Sequence, residues 1–167
     1  MSYVKSKSNI LATRDEREEL LQSELKVGRP ATVFVSLAIP GEQKNRPGTA
    51  ELFEWAWGSL GRTLPLPEPR CLGRDALGPF AVMQACTEPR EVKRLCIRIE
   101  TQRPAARLVD LDVYDSSGNP VDRASLGLPP RRCLVCDQPA ADCQRLQRHS
   151  PEKILEAVDG LLAHIRD

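Results

Sequence analysis

The stretch Ala-Arg-Leu-Val-Asp-Leu-Asp-Val-Tyr, residues 106–114, interleaves Asp110 and Asp112 with Leu111 and Val113. Successive side chains of a β-strand point to opposite faces of the sheet, so the two carboxylates would lie side by side on one face. The two apolar residues would then enter the core from the other face. The stretch therefore predicts a strand that presents an acidic pair at the surface of a sheet.

Helices and further strands are predicted on both sides of this strand. The other predicted strands cover residues 31–39, 80–86, 95–100 and 121–123. The predicted helices cover residues 13–27, residues 47–60 and a final segment capped by Ser150. This mixture indicates an α+β fold with a mixed or antiparallel sheet and flanking helices. The length of 167 residues suits a single domain, here residues 13–167, after a polar N-terminal tail of residues 1–12.

Charge and hydropathy exclude several classes of protein. Lys plus Arg number 24 against 23 Asp plus Glu, so no large net field draws the chain to nucleic acid or to an anionic membrane. The first residues are polar and lack the apolar core of a secretory signal, and no apolar run has the length that a bilayer requires. We therefore expect a cytoplasmic protein with neither a nucleic-acid partner nor a membrane partner.

The acidic pair has the chemistry of a hard-metal site. Mg²⁺ or Mn²⁺ takes oxygen ligands and commonly binds one or two carboxylates together with substrate phosphates. Two neighbouring aspartates in a strand also repel each other unless a cation lies between them. Glu100 is a candidate third acidic group, and Arg107 is a candidate contact to a phosphate oxygen. The alternatives are the solvent-facing side of an amphipathic strand for the aspartates and an ordinary surface position for Arg107.

Three cysteines and a histidine near the C-terminus form a second candidate metal site. Cys133, Cys136, Cys143 and His149 are separated by two, six and five residues. Three thiolates and an imidazole can complete a tetrahedral structural Zn²⁺ site, although the last two spacings differ from those of a standard zinc finger. Two alternatives stay open, namely neutral cysteines buried in a core and a redox Cys-x-x-Cys pair outside any thioredoxin-like context.

Several motifs in chain order carry a family resemblance. They are Arg14-Asp-Glu-Arg17, Pro40-Gly41 with Lys44, Arg107-Leu-Val-Asp-Leu-Asp-Val113, and Pro129-Pro-Arg-Arg-Cys-Leu-Val-Cys136 with the following Cys143 and His149. Together they resemble the citrate lyase holo-acyl-carrier-protein synthase family nearly from end to end. The resemblance implies a nucleotidyltransferase-like fold. It also implies transfer of a prosthetic group from 2'-(5-triphosphoribosyl)-3'-dephospho-CoA to a serine of the apo acyl carrier protein subunit of citrate lyase, with release of pyrophosphate.

The resemblance also suggests roles for individual residues. Asp110 and Asp112 would hold Mg²⁺ or Mn²⁺ against the triphosphate, and Glu100 or a metal-bound carboxylate would accept the serine proton. The candidate cations for donor phosphates are Arg14, Arg17, Lys44, Arg107, Arg131 and Arg132. The last two are also candidate contacts to the carrier protein. For the arginines near residue 15 the alternative is an ion pair with a neighbouring acid of the same helix, and for the last two it is a solvated position.

One segment departs from the family pattern. Residues 101–106, Thr-Gln-Arg-Pro-Ala-Ala, stand where the family has a histidine-rich approach to a Gly-Arg step. Ala106 adds a Cβ where a backbone close to a phosphate would favour glycine, and the lost histidine removes an acid or base. The alternative hypothesis is therefore a catalytically impaired relative that binds the carrier protein or zinc.

Overall fold

The computed structural model describes residues 2–65 and 67–165, so the first residue of the predicted tail and the last two of the predicted domain lie outside it. The α-helices are α1 (Ser2–Leu25), α2 (Thr49–Thr63), α3 (Pro89–Thr101), α4 (Ala140–Arg145) and α5 (Pro151–Ala163). The strands are β1 (Ala31–Leu37), β2 (Glu68–Asp75), β3 (Gly78–Ala85), β4 (Val109–Asp115) and β5 (Pro120–Val121). Short 3₁₀ turns cover Pro104–Leu108 and Ala124–Leu126. Within the described residues, no helix has the length and apolar character that a membrane span requires.

The strands form one antiparallel sheet in the order β2-β3-β1-β4-β5, which confirms the predicted α+β class. The central strand β1 is buried along almost its whole length, as expected for its apolar, β-branched sequence. The outermost strand β5 has two residues and pairs with β4 at Val113 and Tyr114. Most of the outer edge of β4 therefore has no neighbouring strand to pair with among residues 2–65 and 67–165.

The two faces of the sheet are covered unequally. On one face, Val35 and Leu111 belong to the main core, which α2, α3 and α5 complete. On the other face, Phe34 packs with Leu21 of α1 in a smaller apolar cluster. Asp112 lies on this second face and is exposed, so α1 leaves the end of the face near β4 open.

The segment 95–100, predicted as a strand, is instead the end of helix α3. The Glu88 side chain caps this helix by accepting a hydrogen bond from the Glu91 N–H, and Pro89 occupies its first turn. Apolar burial recurs at helical spacing, at Val92, Leu95, Cys96 and Ile99. A short apolar run such as residues 95–100 fits a strand or a helix equally well, and only the cap upstream of it indicates a helix. Glu100 consequently projects from a helix and not from a strand.

Three further differences from the prediction concern the N-terminal tail, an edge strand and Arg107. Helix α1 begins at Ser2, so it includes residues 2–12 of the predicted polar tail. The sequence did not predict strand β2, because this edge strand carries charged residues and lacks an apolar run. Arg107 lies in the 3₁₀ turn before β4 and not on the strand itself.

The positions of two leucines give a test of the core. Leu52 of α2 is fully buried in the main core, whereas Leu72 of β2 is 65% exposed. We expect Leu52→Ala to lower the free energy of unfolding by about 2–5 kcal/mol, because it removes buried methyl groups and leaves a cavity. The matched variant Leu72→Ala should change it by less than about 0.5 kcal/mol. Urea denaturation followed by circular dichroism measures both values, and equal losses would contradict this description of the core.

Candidate active site and metal-binding cluster

The acidic pair of β4 lies on the open face of the sheet, as the alternation predicts. In the ladder with β1, Asp110 is opposite Ser36 and Asp112 is opposite Phe34. Leu111, between the two aspartates, is fully buried in the main core. The two carboxylates therefore project from one surface, and a strand that is paired along its whole length with β1 fixes their spacing.

Charged side chains take the place of a strand partner along the outer edge of β4. The Leu111 N–H donates to Glu100 Oε1 at 3.1 Å, and the Leu111 carbonyl accepts from Lys93 Nζ at 2.7 Å. The Val109 carbonyl accepts from Arg131 at 3.0 Å. Lys93 and Glu100 both project from α3 and are almost completely buried. The helix thus satisfies backbone groups of β4 that β5 is too short to pair.

Glu100 is also the centre of an ion-pair network that reaches the acidic pair. Its two oxygens accept from Arg123 at 3.0 Å and from Arg131 at 2.5 Å. The same nitrogen of Arg131 lies 2.9 Å from Asp110 Oδ1. Burial of Glu100 is therefore compensated by two guanidinium groups, which become fixed beside the aspartates.

Sequence reasoning missed Lys93 and Arg123. Lys93 precedes Glu100 by seven residues, a spacing that places both side chains on one face of a helix. That signal emerges only once residues 89–101 are recognised as helical. Arg123 follows the hairpin loop, and its partner in α3 is a contact between distant parts of the chain that no local pattern specifies.

The surroundings of the acidic pair suit a divalent cation. Asp112 lines a recess of about 340 Å³ whose other walls include Lys93, Asp110 and Arg131. The Asp112 side chain is open to solvent on one side, but neighbouring protein atoms remove part of its hydration. This desolvation and, after it, the charge of Asp110 raise the pKa of Asp112 to about 6. Two carboxylates that resist joint ionisation gain most from a cation between them, and Mg²⁺ takes oxygen ligands of this kind.

A larger, basic recess of about 530 Å³ adjoins this acidic recess. Five arginines line it, namely Arg103, Arg107, Arg123, Arg131 and Arg132. Arg123, Pro130 and Arg131 line both recesses, so the two share a wall. Three of the predicted phosphate-binding arginines are thus brought together next to the acidic pair.

The other three predicted cations lie outside both recesses. Arg17 forms a bidentate ion pair with Asp75, with both distances 2.7 Å, which favours a structural role for its guanidinium. Its partner lies at the end of β2 and is not a neighbouring acid of α1. Lys44 donates to the Ile39 carbonyl at 2.5 Å. Burial and, after it, the charges of Arg14 and Arg17 lower the pKa of Lys44, so these three groups lie near one another.

The four predicted ligands of the C-terminal cluster come together in space. The ligand atoms of Cys133, Cys136, Cys143 and His149 all lie within 4.8 Å of one another. Cys136 Sγ is 3.5 Å from Cys143 Sγ and 3.3 Å from His149 Nε2. Separations of this order are expected around a tetrahedral ion whose ligands lie at about 2.0–2.3 Å. The arrangement fits a structural metal ion better than it fits unconnected core cysteines.

The loop around Cys133 joins this cluster to the basic recess. The Cys133 N–H donates to the Gln138 carbonyl at 2.8 Å, which closes a tight turn around the first two thiols. The Cys133 carbonyl accepts a hydrogen bond of 2.6 Å from Arg107. Arg131 and Arg132 immediately precede Cys133. The loop that carries the first two thiols is therefore bonded to Arg107 and directly continuous with Arg131 and Arg132, three of the arginines of the basic recess.

The segment 101–106, which departs from the family pattern, forms part of the wall of the basic recess. Ala106 is buried in the 3₁₀ turn and does not have a positive φ, so glycine is not required there. Arg103 lines the recess, and its guanidinium carbon lies 5.4 Å from the centroid of the Trp55 ring. The geometry therefore gives no support to the part of the impaired-relative hypothesis that rests on the missing glycine.

An α+β domain with an antiparallel sheet, an acidic pair on its open face and an adjoining basic recess has the features of a nucleotidyltransferase-like protein. The family model described as apo-citrate lyase phosphoribosyl-dephospho-CoA transferase matches residues 5–165, and the chain belongs to this family. Relatives with that name in Escherichia coli O1:K1 and Shigella flexneri serotype 5b (strain 8401) are each 30% identical over 158 residues. Each match covers 92% of this chain and 86% of the relative. The predicted family is confirmed, and the chain is a transferase.

The raised pKa of Asp112 leads to a test of stability. Because this pKa is higher in the folded state than the usual 3.8, ionisation of the carboxyl destabilises the metal-free protein. The destabilisation is absent below about pH 4 and is complete above about pH 6. We therefore expect Asp112→Asn in magnesium-free buffer to raise Tm by about 2–5 °C near neutral pH, with the difference shrinking toward about pH 4. Scanning calorimetry measures this, and a lower Tm at neutral pH would contradict the assignment.

Proposed function

We propose that this chain attaches the prosthetic group of citrate lyase. It would transfer the phosphoribosyl-dephospho-CoA group from 2'-(5-triphosphoribosyl)-3'-dephospho-CoA to a serine of the apo acyl carrier protein subunit and release pyrophosphate. The observation that carries the proposal is the wall shared by the acidic and basic recesses. This wall brings a site suited to a divalent cation next to side chains that neutralise a polyphosphate. Membership of the family supplies the substrate class.

The chemistry in this proposal depends on positioning and charge. Asp110 and Asp112 would hold Mg²⁺ or Mn²⁺, which when bound neutralises phosphate charge and polarises a phosphoryl oxygen. Arg131 contacts both Asp110 and Glu100, so it can present a guanidinium to a phosphate oxygen beside the acidic pair. The serine hydroxyl would attack the α-phosphorus in line with the departing diphosphate, a reaction that requires little covalent work from side chains.

Glu100 serves in this proposal as a positioning residue. Its side chain is 2% exposed, and both of its oxygens are engaged by Arg123 and Arg131. A general base must come within hydrogen-bond reach of the hydroxyl whose proton it accepts. A buried and doubly paired carboxylate does not meet that requirement. Of the groups that the sequence suggests, a carboxylate of the acidic pair is the better candidate base, because it faces the open recess.

Arg14 and Lys44, two of the predicted cations that lie outside both recesses, have a separate proposed role. Burial raises the pKa of Tyr114 to about 12, and the charges of Asp112 and Glu18 add to the effect, so α1 borders the acidic face. Arg14 lies one helical turn before Glu18 and is exposed. We assign Arg14 and Lys44 to outer parts of the donor or to the carrier protein.

Two further components complete the proposal. Zn²⁺ is the ion proposed for the C-terminal cluster, because three thiolates and one imidazole form a soft, closed ligand set that suits a structural site. Arg132 is exposed at the edge of the basic recess, which suits a contact with an acidic carrier protein. The cytoplasmic location remains a prediction of the sequence, and the free thiols are compatible with a reducing compartment.

Transfer can be measured directly on the carrier protein. Incubation with Mg²⁺, the triphosphate donor and apo carrier should add the mass of the phosphoribosyl-dephospho-CoA group to the carrier serine. Asp110→Asn and Asp112→Asn keep side-chain size but remove charge, so each should slow transfer by about 100-fold or more. Asp159→Asn, which alters a surface residue of α5 paired with Arg46, is the matched control and should transfer normally. Intact mass spectrometry follows the reaction, and circular dichroism verifies the fold.

The outcomes of this experiment separate two errors. Absence of any mass gain with the unchanged chain would reject the transferase proposal. Normal turnover in both Asp110→Asn and Asp112→Asn would instead make the pair an ordinary solvent-facing side of a strand and leave the transferase class intact.

The identity of the cluster metal is open to elemental analysis. Protein purified without chelator should contain about one zinc per chain, because thiolate-rich tetrahedral sites bind this ion tightly. Cys136→Ser should lose the zinc and lower Tm, whereas Cys71→Ser, in β2 and outside the cluster, should retain the metal. Folded and active protein that contains no zinc would reject this metal.

A further inference from the structure

The basic recess carries positive charge that its own lining leaves uncompensated. Against five arginines, Glu100 is the one acidic residue among the described residues of the lining, and outside the lining Asp110 and Asp137 pair with Arg131 and Arg132, which leaves a formal excess of two positive charges. The Glu100 carboxylate is already engaged by two of those arginines. Guanidinium groups crowded into a concave site repel one another, and an anion that enters the site relieves this repulsion.

The arginines are held in place by contacts with the protein. Arg103 lies over the Trp55 ring and donates to the Ile165 carbonyl at 3.1 Å. Arg107 donates to the Cys133 carbonyl at 2.6 Å. Each guanidinium has five N–H donors, and these contacts use one nitrogen of each. An anion would therefore meet donors whose positions are already fixed, which lowers the entropy cost of binding.

We propose that the basic recess binds the terminal diphosphate of the triphosphate donor and therefore holds the pyrophosphate as it leaves. This inference rests on the proposed function. In the reaction the serine oxygen forms a bond to the α-phosphorus, while the bond from that phosphorus to the oxygen bridging to the β-phosphate breaks. The electron pair stays on the bridging oxygen, which leaves within pyrophosphate, and the hydroxyl proton passes to a carboxylate of the acidic pair and from there to solvent. The arginines stabilise the negative charge that grows on this leaving group.

The donor also contains a second diphosphate, the one inside its dephospho-CoA portion, and the two groups share this chemistry. The shared wall favours the terminal diphosphate. Arg131 lines both recesses and lies 2.9 Å from Asp110. If the α-phosphate of the donor binds at the acidic pair, the β- and γ-phosphates attached to it would therefore lie at this shared wall. The terminal diphosphate also carries more negative charge than the internal diphosphate, which is esterified at both ends. It therefore matches the positive charge of the basic recess better.

Calorimetric titration with inorganic pyrophosphate tests the assignment. The variants Arg107→Gln and Arg132→Gln alter the recess, and Arg90→Gln, at the exposed start of α3, is the matched control. Each recess variant should weaken pyrophosphate binding by about tenfold, because it removes a charged donor. The control should bind as the unchanged chain does. Dephospho-CoA, titrated separately, should bind equally well to all the variants.

Two results would overturn the inference. Pyrophosphate binding that is equal in the recess variants and the control would exclude the recess as its site. Loss of dephospho-CoA binding with retained pyrophosphate binding would place the internal diphosphate there instead. Because Arg107→Gln also removes the bond to the Cys133 carbonyl, Arg107→Lys is included to retain the charge, and an intermediate affinity is expected.

The calorimetric titration and the transfer assay on the carrier protein together separate this inference from the proposed function. Pyrophosphate that binds through the recess arginines, without any transfer to the carrier, would contradict the reaction but leave the anion site in place. Transfer to the carrier, together with pyrophosphate binding that is indifferent to these arginines, would contradict the site alone.

Discussion

The carboxylate of Glu100 is bound from three directions, and the arrangement of the whole site depends on these bonds. One oxygen accepts from the Leu111 N–H of β4, and the carboxylate as a whole holds Arg123 and Arg131. A buried carboxylate deprived of such partners would be costly by several kcal/mol, so these bonds favour the observed arrangement of α3, β4 and the two segments that carry the arginines. The Glu100 carboxylate consequently positions both the strand that carries the two aspartates and the guanidinium groups beside them.

Local patterns in the sequence were sufficient where the determining interactions are themselves local. Alternation placed Asp110 and Asp112 on one face of a strand, and Ser150 caps the last helix through the hydrogen bond that its position predicts. They failed where the partner is distant along the chain. Lys93 and Arg123 owe their positions to β4 and α3, and neither partner is visible in the residues next to them. The resemblance supplied the substrate class, which none of these patterns contains.

The segment between residues 127 and 150 shows what a metal ion at the C-terminal cluster would contribute to the architecture of the site. Among its side chains, Cys133 and Cys143 are the buried apolar ones in the part of the chain that the structure describes. Helix α4 has six residues, which is too short to be stable by itself. A bound ion would supply the cohesion that a small apolar core lacks, and it would do so at the point where Arg107 meets the backbone.

The side chains that complete the edge of β4 also affect how the sheet meets other molecules. An unpaired strand edge is a template onto which a strand from a second chain can add. Lys93, Glu100 and Arg131 occupy the backbone groups of that edge, so no free ladder is left there to extend. At the opposite edge, β2 carries Pro69 and a register shift directly after it, both of which discourage pairing. Ionic side chains and an irregular strand thus protect the sheet from edge-to-edge aggregation.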